Sequence, residues 1–239
     1  MNQIIQKQEF KNILGTKVYE IFLELQTLIK EFNKNLNLTR LTDNSDYWIS
    51  QVYDSIWPFI TDSNRNFDNK KFLDIGSGCG FPGLGYAIIY PNSEVYLVDS
   101  SEKKTDALKK IIDELRLKNQ IFIIKDRIEN LGHNIKFRNK FDICTTRAVS
   151  SPPTVAEYML PMLNRNGTGL LYCGKWLPED ELKLNKSLNI LKGTIKERKK
   201  IHLPNNKGER NIIFIKPKEK CPDDFPRKNG KPKKYPLGN

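Results

Sequence analysis

Phe72-Leu73-Asp74-Ile75-Gly76-Ser77-Gly78-Cys79-Gly80-Phe81-Pro82-Gly83 is the stretch whose reading decides the fold. A short apolar run ends in a glycine-rich turn, the pattern of a β-strand that delivers bare backbone to a ligand. A side chain at Gly76 or Gly78 would obstruct that approach. Pro82, with its fixed φ and no N–H, suits the first turn of a following helix. The next strand-like run, Glu94-Val95-Tyr96-Leu97-Val98-Asp99, ends in an acid 23 positions after Gly76 (99 − 76). A carboxylate there can accept both ribose hydroxyls of an adenosine laid over the turn. Ser100 and Ser101 follow, and Glu102 opens a helix.

Two ligands fit this turn. Gly78-Cys79-Gly80-Phe81-Pro82-Gly83 satisfies the G-x-G-x-x-G pattern of dinucleotide sites. Asp74, two residues before the first glycine in a D-x-G-x-G-x-G arrangement, points instead to S-adenosylmethionine. An acid at the glycine end of the strand can receive the ammonium of a methionine moiety, whereas it would repel a pyrophosphate. An NAD(P)-dependent oxidoreductase therefore stands as the alternative enzyme. A basic RNA-binding protein with a purely structural glycine turn stands as the non-enzymatic one.

Outward from the turn, β-rich runs near 71–75, 94–99, 120–125, 141–146 and 168–173 alternate with helical windows near 82–90, 102–117 and 152–164. Such alternation builds right-handed βαβ units and a mostly parallel sheet. After Pro178, Glu179, Asp180 and Glu181 suit a helix N-terminus. Two further strands, about 194–203 and 211–216, have no helix between them and are expected to pair antiparallel. A terminal strand pair after five β/α units is the ending of the Rossmann-like class I methyltransferase fold, an α/β architecture with a seven-stranded sheet.

Upstream, apolar residues from Ile4 to Phe32 recur at steps of three and four, predicting two amphipathic helices broken near Gly15. A third helix is expected over Asp46–Ile56, bent or ended by Pro58. The expected division is an N-terminal helical region at 1–60, a polar linker at 61–70, a methyltransferase domain at 71–216 and a flexible basic tail at 217–239. That tail holds seven Lys or Arg against three carboxylates and is rich in proline, so it is expected not to bury enough apolar surface to order.

A net charge of +12 over 239 residues favours a polyanionic partner, since basic side chains that neutralise phosphates release condensed counterions. No run of eighteen apolar residues and no secretion signal is present, so a cytoplasmic protein without a membrane partner is expected. Cys79, Cys144, Cys173 and Cys221 stand singly, and neither His133 nor His202 has a neighbour at ligand spacing, so no metal is expected.

Several segments, in order and spacing, resemble the RsmG (GidB) family of 16S ribosomal RNA guanine-N7 methyltransferases. They are Asn37-Leu38-Thr39, Asp54-Ser55, the glycine turn, Leu97-Val98-Asp99-Ser100 with Lys103-Lys104, Arg127-Ile128-Glu129 and Arg147-Ala148. Gly174-Lys175, Pro178-Glu179-Asp180-Glu181, Gly208-Glu209-Arg210 and parts of the tail from Pro226 also match, so the likeness spans nearly the whole chain. The resemblance implies S-adenosylmethionine contacts at Gly76, Phe81, Ile128, Glu129 and Arg147, with Asp99, Ser100 and Ser101 at the ribose. It also implies 16S ribosomal RNA, or the small ribosomal subunit, as partner. Where members often carry a His three residues before the Asp-Ser pair, this chain has Gln51.

Guanine N7 has an in-plane lone pair and no proton, so attack on a sulfonium methyl needs no general base. No catalytic acid–base pair is therefore expected. Arg147, after the fourth strand, is the candidate for holding the cofactor carboxylate or shaping a guanine pocket. Lys175 and Arg210 are the candidates for RNA phosphates. Asp54 and Ser55 either face that pocket or cap a helix.

Overall fold

The computed structural model describes residues 7–43, 45–62, 64–117 and 120–238. Ile4 and Ile5, the start of the expected apolar stripe, lie outside the described residues, as do Ser63 and Asn239.

Seven strands form one sheet in the order β3-β2-β1-β4-β5-β7-β6. They are β1 (Lys71–Ile75), β2 (Glu94–Asp99), β3 (Gln120–Lys125), β4 (Phe141–Arg147), β5 (Leu163–Cys173), β6 (Gly193–His202) and β7 (Glu209–Pro217). The first five pair in parallel, while β7 lies antiparallel between β5 and β6. This is the expected sheet. The chain direction of strand addition reverses between β1 and β4, the switch point at whose carboxyl edge ligands of such sheets bind.

β5 begins five residues earlier than expected. Leu163 pairs with Phe141 but Thr168 with Ile143, so five residues on β5 span what two span on β4. Gly167 sits inside this bulge, where an added Cβ would lie 2.7 Å from the Phe141 carbonyl. Bulges of this kind break the period-2 pattern that the sequence reading relies on.

One face of the sheet carries α4 (Gly83–Ile89), α5 (Glu102–Leu115) and the N-terminal helices α1 (Lys7–Leu14) and α2 (Thr16–Leu36). Phe10, Phe22, Leu25 and Ile29 of the helical stripe are buried there, and Gly15 breaks the two helices with φ +78°. The third N-terminal helix is a π-helical segment, Asp46–Tyr53, running directly into α3 (Asp54–Ile60). It continues two residues past Pro58 before ending. Trp48 stacks on Tyr19, with ring centroids 4.8 Å apart, and Phe81 of the glycine turn stacks on Phe22 at 6.5 Å.

The stretch 61–70 is no free linker. Phe67 is buried edge-on against Phe59, and buried Asp62 pairs with Arg65 at 3.0 Å and Lys199 at 2.6 Å. N-terminal helices, linker and sheet share one apolar core, so the expected division at 61–70 does not correspond to a break in packing.

The opposite face carries α6 (Ile128–Leu131), α7 (Pro152–Met159) and α8 (Pro178–Ile190). The tail packs there too, against expectation, and includes a short helix α9 (Lys231–Lys234). Arg138 donates to the carbonyls of Gly132, Cys221, Pro222 and Phe225 at 2.6–2.9 Å. Arg227 forms a forked pair with Glu157, itself fully buried. Pro226 lies so near Gly132 that an added Cβ there would come within 2.3 Å of its ring. Composition does not locate the partners that order this segment: the hydrogen bonds of Arg138 and Glu157, and the core on this face, into which Cys221, Phe225 and Leu237 pack. Its prolines also have less backbone freedom to lose.

Candidate functional site

The glycine turn is built by its own hydrogen bonds. Gly76 and Ser77 both donate their N–H to the Val98 carbonyl, at 2.8 and 3.0 Å, which ties the end of β1 to the end of β2. Gly76 has φ +74°, and a Cβ there would lie 2.6 Å from Val149 Cγ2, so backbone alone fits. Gly78 has φ +58° and donates to Asp99 Oδ2 at 2.9 Å, while Ser101 N–H donates to Asp99 Oδ1 at 2.9 Å. Each carboxylate oxygen keeps acceptor capacity. Asp99 is thus locked in orientation by two amides and still able to accept from a sugar.

Asp74 is placed differently from the expectation. It is fully buried and lines neither cavity described below; Oδ2 accepts the Gly83 N–H at 3.0 Å and Oδ1 accepts the Thr145 hydroxyl at 2.9 Å. Its carboxylate braces the turn against α4 and β4. Burial pushes its pKa up to about 6, against the lowering effect of those hydrogen bonds.

Two cavities open at the carboxyl edge of the sheet. One, of about 420 Å³, is lined by Gly76, Asp99, Ser100, Ile128, Glu129 and Tyr158, among others. The other, of about 590 Å³, is lined by Gln51, Asp54, Gly78, Phe81, Arg147 and Arg210, among others. Both lie within the size range of small-molecule sites. They share Gly76, Lys104 and Ala148, so they meet over the turn. The residues expected at the cofactor therefore divide: Asp99, Ser100, Ile128 and Glu129 line the first cavity, Gly78, Phe81 and Arg147 line the second, and Ser101 lines neither. Lys175 is exposed and lines a neighbouring hollow that also reaches Ala148.

Glu129 is buried. Its Oε1 accepts the Tyr158 hydroxyl at 3.3 Å and the Gly230 N–H of the tail at 3.0 Å. Lys233, also from the tail, lines the same cavity. Sequence reasoning missed this contribution, and no local signal announces it, because the contact joins residues 101 positions apart.

Arg147 holds the π-helical segment to the end of β4. Nη1 donates to the Ser50 carbonyl at 3.0 Å, Nη2 donates to Gln51 Oε1, and Asp54 Oδ2 lies 3.6 Å away. Gln51 Nε2 in turn donates to Cys79 Sγ at 2.6 Å. The Gln51 amide thus links the arginine to the glycine turn. Arg210, on β7, donates from Nε to Asp54 Oδ2 at 3.2 Å, so it is an ion-paired wall of the second cavity rather than a free surface charge. Burial raises the Asp54 pKa, and Arg147 and Arg210 work against that rise.

The first cavity suits adenosylmethionine chemically: an oriented carboxylate for ribose hydroxyls, a buried carboxylate for an exocyclic amine, and a bare backbone floor. Among the described residues no group of three or more His, Cys, Asp or Glu could hold a metal. No helix among them is long and apolar enough to cross a membrane.

A family model described as rRNA small subunit methyltransferase G matches residues 18–213. Proteins called ribosomal RNA small subunit methyltransferase G are similar end to end. One from Prochlorococcus marinus strain MIT 9312 is 61% identical over 96% of this chain and 97% of its own length. Another, from strain MIT 9215, is 59% identical over the same shares. A third, from strain NATL1A, is 46% identical over 91% of this chain and 88% of its own. With a model spanning most of its length and relatives matched across nearly all of theirs, the chain belongs to the rRNA small subunit methyltransferase G family.

Proposed function

We propose that this protein transfers a methyl group from S-adenosylmethionine to N7 of a guanine in 16S ribosomal RNA, working in the cytoplasm. The observation that carries the reading is the pair of cavities meeting over Gly76. One has the groups an adenosine needs, and the other has charged and aromatic walls suited to a nucleobase.

The cofactor, when bound, supplies an electrophilic methyl on a sulfonium. The chain's own residues bind and orient. Asp99, fixed by the Gly78 and Ser101 amides, accepts from the ribose. Glu129, buried in the first cavity with Oε1 held by Tyr158 and the tail, would accept the adenine amino group. Arg147 keeps the π-helical wall closed over the second cavity, and Phe81 and Tyr172 offer it aromatic surface. No residue is required to remove a proton, because N7 has none. Alignment alone can supply roughly 7 to 11 kcal/mol of the barrier. Lys175 at the rim and the net positive charge favour RNA phosphates.

The test is nucleoside mapping of small-subunit RNA from cells with and without the protein. A single 7-methylguanosine that disappears with the protein is expected. An unchanged methylation pattern would refute the reading.

A further inference from the structure

The tail that packs on α7 carries a surface that neither the core nor the cavities use up. From Phe225 to Asn239 it has no acidic side chain. Of its basic residues there only Arg227 is ion-paired among the described residues, with Glu157, while Lys228, Lys231, Lys233 and Lys234 are exposed. Lys231 and Lys234 stand three residues apart on α9, where like charges are neighbours and repel. Tyr235 follows, 57% exposed, with Lys234 Nζ 5.1 Å from its ring centre.

The inner side of the same segment is fixed to buried groups. Arg227 forks onto Glu157, the Gly230 N–H donates to Glu129 at 3.0 Å, and the Pro232 carbonyl accepts the Thr154 hydroxyl at 3.1 Å. Exposed lysines around an exposed aromatic ring are the parts of a single-strand nucleic-acid platform, with cations for phosphates and a ring for a base. Anchoring adds to this, because a surface already ordered loses less freedom on binding than a flexible tail does.

A continuous track leads to it from the second cavity. That cavity shares Ala148, Tyr172, Cys173 and Gly174 with the hollow that Lys175 lines. The hollow runs on to Pro152 and Val155 of α7, and Thr154 between them holds the tail. Asp180, the carboxylate in its wall, accepts the Leu177 N–H at 3.0 Å and so caps α8.

Resting on the function proposed above, we infer that the tail is an RNA platform: it takes the single-stranded segment flanking the target guanine, with Lys231 and Lys234 on phosphates and Tyr235 under a base. The strand must be single there, since N7 lies on the major-groove edge, and A-form duplexes enclose that edge in a groove too deep and narrow to enter.

The experiment measures binding of small-subunit RNA, of a single-stranded RNA oligonucleotide and of the same oligonucleotide as a duplex, over a range of salt. The proteins are the full-length wild type, Lys231→Gln/Lys234→Gln, Tyr235→Ala and a control, Lys17→Gln/Lys110→Gln, which removes two exposed lysines from helices on the other face of the sheet. The tail pair is expected to reduce the slope of log affinity for small-subunit RNA against log salt by about 1.4, or about 0.7 for each phosphate contact, and the control pair to leave it unchanged. Tyr235→Ala is expected to weaken single-strand binding about tenfold and duplex binding less than about threefold. A tail pair with the wild-type slope, or a control pair with the same reduction, overturns the inference. Equal losses on single strand and duplex for Tyr235→Ala also overturn it. So does a tail variant that loses adenosylmethionine binding, because the tail would then act through the cofactor cavity. Absence of 7-methylguanine from wild-type reactions would instead bring down the function proposed above, and the binding comparison would still judge the platform.

Discussion

Replacing Asp74 by Asn is expected to stabilise the protein at neutral pH. Asp74 has no water contact, and burial raises its pKa from an ordinary 3.8 to about 6. An acid whose folded pKa is raised favours folding below its unfolded pKa, and that contribution is lost as pH climbs through the folded value. Two pKa units correspond to about 3 kcal/mol, of which about 2 kcal/mol falls between pH 4.5 and 7.5. Asn can keep both contacts, with its carbonyl accepting from Gly83 N–H and its amide donating to the Thr145 hydroxyl. Urea unfolding of wild type and Asp74→Asn across that range isolates this one group, because every other titration cancels in the difference. The variant's advantage is expected to grow by about 2 kcal/mol from pH 4.5 to 7.5. Adenosylmethionine affinity should change little, since the carboxylate serves as a brace. A pH-independent difference would refute the titration argument, and loss of cofactor binding in a folded variant would restore the ammonium role.

Arg227→Met leaves the fully buried Glu157 unpaired and is expected to cost about 3–5 kcal/mol in urea unfolding; a change under about 1 kcal/mol would mean the tail is not anchored there. Gly78→Ala places a methyl group with no atom beyond its two chain neighbours nearer than Gly76 O at 3.9 Å, on the wall of the second cavity. Calorimetry should show adenosylmethionine binding at least about tenfold weaker, with about 1–2 kcal/mol of strain from the positive φ; full affinity would move the ligand away from Gly78. Lys175→Gln should reduce the slope of log affinity for RNA against log salt by about 0.7, the value for one single-strand phosphate contact; an unchanged slope removes Lys175 from the interface.

Legibility of the fold followed locality. The glycine turn, the acid at Asp99 and the alternation of strands and helices are local signals, so β1, β2 and the sheet's antiparallel ending could be anticipated from the chain alone. Asp74 is legible as a carboxylate beside the turn, but the D-x-G-x-G-x-G spacing cannot say which way it points, and the structure turns it onto Gly83 and Thr145. Gly76 was recognised as essential backbone, yet Val149, which closes over it, lies 73 positions away (149 − 76). The order of the tail is not legible in its composition, because what holds it lies far along the chain: hydrogen bonds from Arg138, Glu157 and Glu129, and the core into which Cys221, Phe225 and Leu237 pack. Asp54 stood among the resembling motifs, but its ion pair emerges only when β7 brings Arg210 beside it.

The most direct measurement is a crystal structure with S-adenosylhomocysteine and guanosine monophosphate bound together. The account predicts ribose hydroxyls within hydrogen-bond distance of both Asp99 oxygens, the sulfur over Gly76, and the base in the second cavity with N7 facing the sulfur. Adenosine elsewhere on the sheet edge, or a base whose N7 is turned toward an arginine, would contradict it.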